Sequence, residues 1–375
     1  ADVGALLGFE GLTKTGTGTL NVNGPGTTSL QEVEALGGTL NVAAGGAITN
    51  VQSTTVGSGA TLNVEGTYAG GTGNDTFTVA GIVSGAGSID LGDGDDVLTL
   101  QDGAALNIAI DAGGETAGDR VVLDNASALT FDGTNVAGFE ELVKQNTGTA
   151  TLVGTHTYDS VAIDGGILDV DGTLQSAAIA LADGTTLTVD GTVQAAGGTQ
   201  SAITGTAGVN TVVVNAGGTL LAAGDLGDGN DVLDVAGTLN TGGGVFSLGA
   251  GDDTFVVHNT TQVIGTLDGG AGNDLLNVNV DAGSLVPLGS TTGFESLGKS
   301  GLGTLQINGA SDFIDVRVQA GLLDIDAAGS ITAQTVDVSS GATLNVDGAL
   351  NFTPGADDFT VAGAVSGAGV IDMLD

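Results

Sequence analysis

Between Leu226 and Asn277 one phrase recurs with little change: LGDGNDVLD from Leu226, LGAGDDTFV from Leu248 and GGAGNDLLN from Gly269. Its polar pairs are Asn230/Asp231, Asp252/Asp253 and Asn273/Asp274, and their second members are 22 and 21 residues apart. A step near twenty residues, each time a glycine turn, an aspartate and an apolar pair, is the signature of a solenoid that returns to one edge once per coil. Paired strands lie about 4.8 Å apart, so the spacing stacks Asp231, Asp253 and Asp274 as like charges on a single rail. Two carboxylates roughly 5 Å apart repel by about 3 kcal/mol at an effective dielectric near 20. Such a stack needs protonation, splaying or a cation. Calcium, a hard ion that takes roughly six to eight oxygens, suits carboxylates set beside glycine carbonyls. The alternative is that Asn and Asp stabilise left-handed turns and splay their carboxylates into water.

Composition agrees with a repeat fold rather than ordinary globular domains. The 375 residues include 69 glycines and 3 prolines, with 41% hydrophobic residues, no Cys and no Trp. Abundant glycine with Val, Leu, Ile and Ala means many tight turns between short apolar strands, not a disordered linker. Asp and Glu number 44 against 5 Lys and Arg. A chain with so few cations has little with which to neutralise phosphate, so nucleic acid and anionic membrane surfaces are excluded as partners. The absence of cysteine excludes disulfides and thiolate chemistry. No run of eighteen apolar residues crosses a membrane and no signal peptide opens the chain, so direct membrane insertion by this segment is not expected.

Repeats occur on two scales. Thr-Leu-x-Val returns at Thr19–Val22, Thr39–Val42, Thr61–Val64, Thr186–Val189 and Thr343–Val346, an alternation that places one face of each strand inward. On the long scale GFEGLTKTGTGTLNVNG from Gly8, GFEELVKQNTGTATLVG from Gly138 and GFESLGKSGLGTLQING from Gly293 align. DTFTVAGIVSGAGSID (Asp75 to Asp90) likewise answers DDFTVAGAVSGAGVID (Asp357 to Asp372). The expectation is an all-β chain: a single right-handed parallel β-helix of about 20-residue coils running through 1–375 and cut from a longer array. Its internal units are 1–130, 131–285 and a truncated 286–375. At that coil length it has roughly 17 to 19 coils over about 80 to 90 Å.

The run Leu12-x-Lys14-x-Gly16-x-Gly18-Thr19-Leu20-x-Val22, repeated from Leu297 through Lys299, Gly301, Gly303, Thr304 and Leu305, resembles the autotransporter-associated β-strand repeat of Gram-negative passenger domains. The middle copy departs at Asn146 and Ala150. The resemblance implies a parallel β-helix, secreted or displayed on the outer surface of a Gram-negative bacterium, serving adhesion, aggregation or biofilm formation. A second resemblance concerns the turns: GGTGNDTFT (Gly70 to Thr78) and GGAGNDLLN (Gly269 to Asn277) look like the nine-residue RTX calcium repeat. It implies Asp75 and Asp274 as calcium ligands, with Gly71, Gly73, Gly270 and Gly272 offering carbonyls. LGDGDDVLT and LGDGNDVLD match except at the first glycine and nominate Asp96 and Asp231; Asp253 joins them on the rail.

The remaining special residues have plainer readings. Lys14, Lys144 and Lys299 share one slot and are expected to ion-pair with Glu10, Glu140 and Glu295 or their stacked neighbours. Phe9, Phe139 and Phe294, with Phe77, Phe255 and Phe359, fall in the inward register. His156 and His258 read as exposed or strand-face residues. The chain is therefore expected to be a non-catalytic extracellular stalk or adhesive rod that contacts a host or neighbouring-cell surface or itself. The alternative is a subunit of an extracellular fibre or surface layer joined end to end. A polysaccharide-acting β-helix enzyme is a third class, disfavoured because Arg120 and Arg317 lie far apart and most carboxylates belong to the repeat.

Overall fold

The computed structural model describes residues 1–375 apart from Ala5, Pro25, Gly26, Glu115, Thr116, 355–357, Leu374 and Asp375. Asp357, which opens the second copy of the DxFTVAG phrase, lies outside the described residues. The chain is a parallel β-solenoid, and it divides into two compact units, Ala1–Ser176 and Ala177–Asp375.

In the first unit, strands Thr19–Val22, Gly38–Val42 and Ala60–Val64 stack in exact register, Leu20 beside Leu40 beside Leu62 and Val22 beside Val42 beside Val64. Leu40, Leu62, Val42 and Val64 are fully buried. A second face runs through Glu32–Ala35, Ser53–Val56, Thr76–Val79, Val97–Gln101, Arg120–Asp124 and Glu141–Gln145. Along it one inward column reads Ala35, Val56, Val79, Leu100, Leu123, Lys144.

The second unit repeats the arrangement. One inward column there runs through Leu187, Val212, Leu233, Phe255, Leu276, Leu297, Val316 and Val336, one residue per coil at steps of 19 to 25. Each such buried aliphatic side chain stabilises the fold by about 1.5–3 kcal/mol relative to exposure. Outward positions between them carry Thr, Asn and Asp, and several hold one another. Asn41 donates to Asn21 at 3.0 Å and Asn63 donates to Asn41 at 2.8 Å. Backbone groups are thus satisfied coil to coil and side chains reinforce the same direction.

Candidate functional site

The aspartates nominated from the turns lie on two inward rails, one per unit. In the first unit the Asp75 amide donates to Asp96 Oδ1 at 2.7 Å, the Asp96 amide to Asp119 Oδ1 at 2.6 Å, and the Asp119 amide to Glu140 Oε2 at 2.9 Å. In the second, the amides of Asn210, Asp231 and Asp253 donate to the Oδ1 atoms of Asp231, Asp253 and Asp274 at 2.6, 2.6 and 2.7 Å. The Asp274 amide closes the series on Glu295 Oε2 at 2.7 Å. Each acid stands two residues before an inward apolar residue, Asp231 before Leu233 and Asp253 before Phe255, so the strand's period of two turns it inward as well.

The neighbouring residue of each pair forms an outer rail that runs the other way. Asn230 Oδ1 accepts from the amide of Asp252, and Asp252 Oδ1 from the amide of Asn273, each at 3.0 Å. Asn74 Oδ1 likewise accepts from Asp95 at 3.1 Å. Inner side chains therefore reach back one coil while outer side chains reach forward one coil, and the turn is clasped from both directions.

Burial goes against the alternative that these carboxylates splay into water. Asp75, Asp96, Asp231, Asp253 and Asp274 are all at most 3% exposed; a hydrogen bond from the adjacent coil holds the side chains of Asp96, Asp231, Asp253 and Asp274 inside, and the Gly71 amide of its own turn holds that of Asp75 at 2.8 Å. Burial pushes Asp96 and Asp274 up to about 6 and Asp231 up to about 7, well above the usual carboxylate range. Asp75 and Asp253 move in the same direction for the same reason. Nearby acids add to it: Asp75, Asp119 and Asp95 around Asp96, Asp253 and Asp225 around Asp231, and Asp253, Glu295 and Asp252 around Asp274.

The residues suit a hard cation. Oδ2 of Asp96, Asp231, Asp253 and Asp274 is buried with no hydrogen-bond partner, and a buried carboxylate oxygen left that way costs free energy until a proton or metal reaches it. Among the described residues, no three acids of either rail bring their oxygens within 4.8 Å of one another. A cation on a rail would therefore take carboxylates from consecutive coils and complete its shell with carbonyls.

The nominated glycines also have a structural job that the sequence did not reveal. A Cβ on Gly272, at φ 157°, would lie 1.5 Å from the carbonyl oxygen of Gly251 in the coil below, so glycine is required for turns to stack this closely. Gly73, at φ 137°, donates its amide to the carbonyl of Asp93 at 2.6 Å.

Several further expectations are corrected. The lysines do not pair with glutamates. Lys144 Nζ donates to the carbonyls of Gln145, Asn146 and Gly165 at 2.6, 2.9 and 3.2 Å, and Lys299 Nζ to those of Ser300, Gly301 and Ala320 at 2.6, 2.9 and 3.2 Å. Lys14 does the same with Thr15, Gly16 and Gly37 at 2.8, 2.7 and 2.7 Å. Their slot falls in the inward register, where carbonyls of two successive turns are the available acceptors, while Glu140 and Glu295 are engaged as the last rungs of the acid rails. Burial lowers Lys299 to about 8. Phe77, Phe139, Phe255 and Phe294 are core residues as expected, Phe359 is partly exposed, and Phe9 is 60% exposed. His156 is buried, not on a strand surface, and His258 is partly exposed against Asp234 at 2.6 Å.

Asp119, Asn210, Glu140 and Glu295 are rail members that the turn motif did not nominate. Their signal was the same spacing of two before an inward residue, since Asp119 precedes Val121, Asn210 precedes Val212, Glu140 precedes Leu142 and Glu295 precedes Leu297.

Compared with known proteins, the chain matches no protein-family model, no curated protein and no solved structure.

Proposed function

We propose that the chain is a non-catalytic extracellular rod, the stalk or adhesive segment of an autotransporter-like surface protein of a Gram-negative bacterium, and that calcium on the two acid rails stiffens it. The reading is supported chiefly by the repetition of one bonding scheme: strand register, inner rail and outer side-chain ladder all run in the direction of stacking. A fold that spends its polar side chains on the adjacent coil is suited to bearing load and displaying a surface. The repeat of Leu12–Val22 at Leu297–Ile307 supports the autotransporter resemblance. The buried oxygens of Asp96, Asp231, Asp253 and Asp274 support the calcium part.

Display of the chain on the surface of a non-aggregating bacterium tests the role. Sedimentation of the culture and retention on a biofilm support are expected to rise, with a further rise in calcium. Display without any change in aggregation or attachment, or release of reducing sugar from polysaccharides by the purified chain, would set the proposal aside.

A further inference from the structure

The coil opened by Gly-Phe-Glu occurs three times, and its third copy departs from the others on the outer face. The residue before each caged lysine lies in the outward register: Thr13, Val143 and Gly298. In the first copy Thr13 Oγ1 donates to Glu34 Oε2 of the next coil at 2.8 Å, and in the second Val143 lies beside Ala162. In the third, Gly298 lies between Asn277 in the coil below and Arg317 in the coil above. Those two residues stand two coil spacings apart, about 10 Å, with no side chain between them. Packing does not require this glycine, since its φ is not positive and a Cβ there would meet no atom within 4 Å. The result is a cleft of about 300 Å³ lined by Leu275, Asn277, Ser296, Gly298, Arg317 and Gln319, among others.

The cleft carries hydrogen-bonding groups that the protein leaves unused. Among the described residues, the side chains of Asn277, Ser296 and Gln319 make no hydrogen bond. Outward amides in the neighbouring sheet are engaged: Gln306 donates to Asp324 at 3.1 Å and Asn345 to the same residue at 2.8 Å. The Arg317 side chain is 63% exposed and meets Asp315 through Nε at 2.7 Å, while its two terminal nitrogens donate to no described residue. Arg120, by contrast, engages Glu141 through both Nε and Nη2, at 2.8 and 2.6 Å. Leu275, half-buried, adds an apolar surface.

We propose that this cleft binds a neutral sugar ring of a polysaccharide. Amide, hydroxyl and guanidinium groups suit a ring edge whose hydroxyls both donate and accept. Leu275 and the bare backbone of Gly298 suit the C–H face of the ring, and the volume admits a pyranose. Carboxylated sugars are disfavoured, because Arg317 stands between Asp315 and its register neighbour Asp337 in a chain of formal charge −39. The proposal depends neither on calcium at the inward rails nor on display at a cell surface.

Affinity electrophoresis of the full chain tests it, in native gels cast with dextran, mannan or galactan, with carboxymethyl-dextran, or with no polymer, calcium being present throughout. Relative to the polymer-free gel, slower migration is expected in at least one neutral polymer. Gly298→Val supplies the side chain that Val143 carries in the second copy, so it should abolish the retardation while melting stays at or above that of the wild type. Arg317→Gln should weaken the apparent affinity about tenfold, as for loss of a charged hydrogen-bond donor; it alters an exposed side chain and decides the matter should Gly298→Val melt lower. Unaltered migration in every neutral gel, retardation confined to carboxymethyl-dextran, or retardation that survives either substitution would overturn the proposal.

Discussion

The amide of Asp231 donates to Oδ1 of Asp253, one coil on, at 2.6 Å, while Oδ2 of Asp253 is buried without a partner. One half of the carboxyl group is a structural acceptor and the other half is available to a proton or a cation. Substitutions at Asp253 separate the two. Asp253→Ala leaves the Asp231 amide buried and unpaired and should cost about 1–3 kcal/mol in urea unfolding. Asp253→Asn retains an acceptor, so in chelator it should melt at or above the wild type; a loss as large as that of alanine would show that the bond depends on charge.

Calcium removal gives the second prediction. Wild-type protein in chelator should melt several degrees below the same protein in millimolar calcium, since a ligand that binds the folded state alone stabilises it by mass action. Asp231→Asn with Asp274→Asn should shrink that difference to near zero. Identical melting of the wild type with and without chelator would remove calcium from the account.

The pH dependence follows from the raised affinities. Asp96, Asp231 and Asp274 hold protons up to about 6, 7 and 6 when folded and to about 4 when unfolded. Between those values the folded state binds more protons, so metal-free stability is fully present below pH about 4 and is lost as pH rises through 6 to 7. The urea midpoint in chelator should fall over that window, and Asp231→Asn should flatten the slope. A midpoint that climbs from pH 4 to 7 would contradict the buried rails. General repulsion among surface acids acts in the same direction, which is why the variant, not the wild-type curve alone, decides.

Lys299→Met tests the carbonyl cage. It removes the donor shared by the part-buried carbonyls of Ser300, Gly301 and Ala320, which should cost about 1–3 kcal/mol. The loss should be the same in low and high salt; a cost that disappears at high salt would point to an ion pair with Glu295 instead.

Much of this fold is written in the spacing of Leu, Val and Asp. The columns through Leu20, Leu40 and Leu62 and the stacking of Asp231, Asp253 and Asp274 follow from repeats read directly off the chain. The inward orientation of the acids was legible too, since Asp231 shares parity with Leu233, and Lys299 with Leu297. It was masked by the ordinary rule that charged side chains face water, which yields when the neighbouring coil supplies a backbone partner for every one of them. The 3-10 turn Gly133–Asn135, at one corner of the first unit, was not legible. It depends on how many residues two adjacent coils spend at one corner, and that count has no meaning until the strand register is fixed.

The lysine cages have a practical consequence for proteolysis. With Lys144 and Lys299 sealed in the interior and Lys14 7% exposed, enzymes that cut after basic residues meet little besides Arg120 and Arg317, each already gripped by a neighbouring acid at 2.6 and 2.7 Å. A surface with so few accessible bases offers proteases that cut after lysine or arginine almost no purchase on the folded chain.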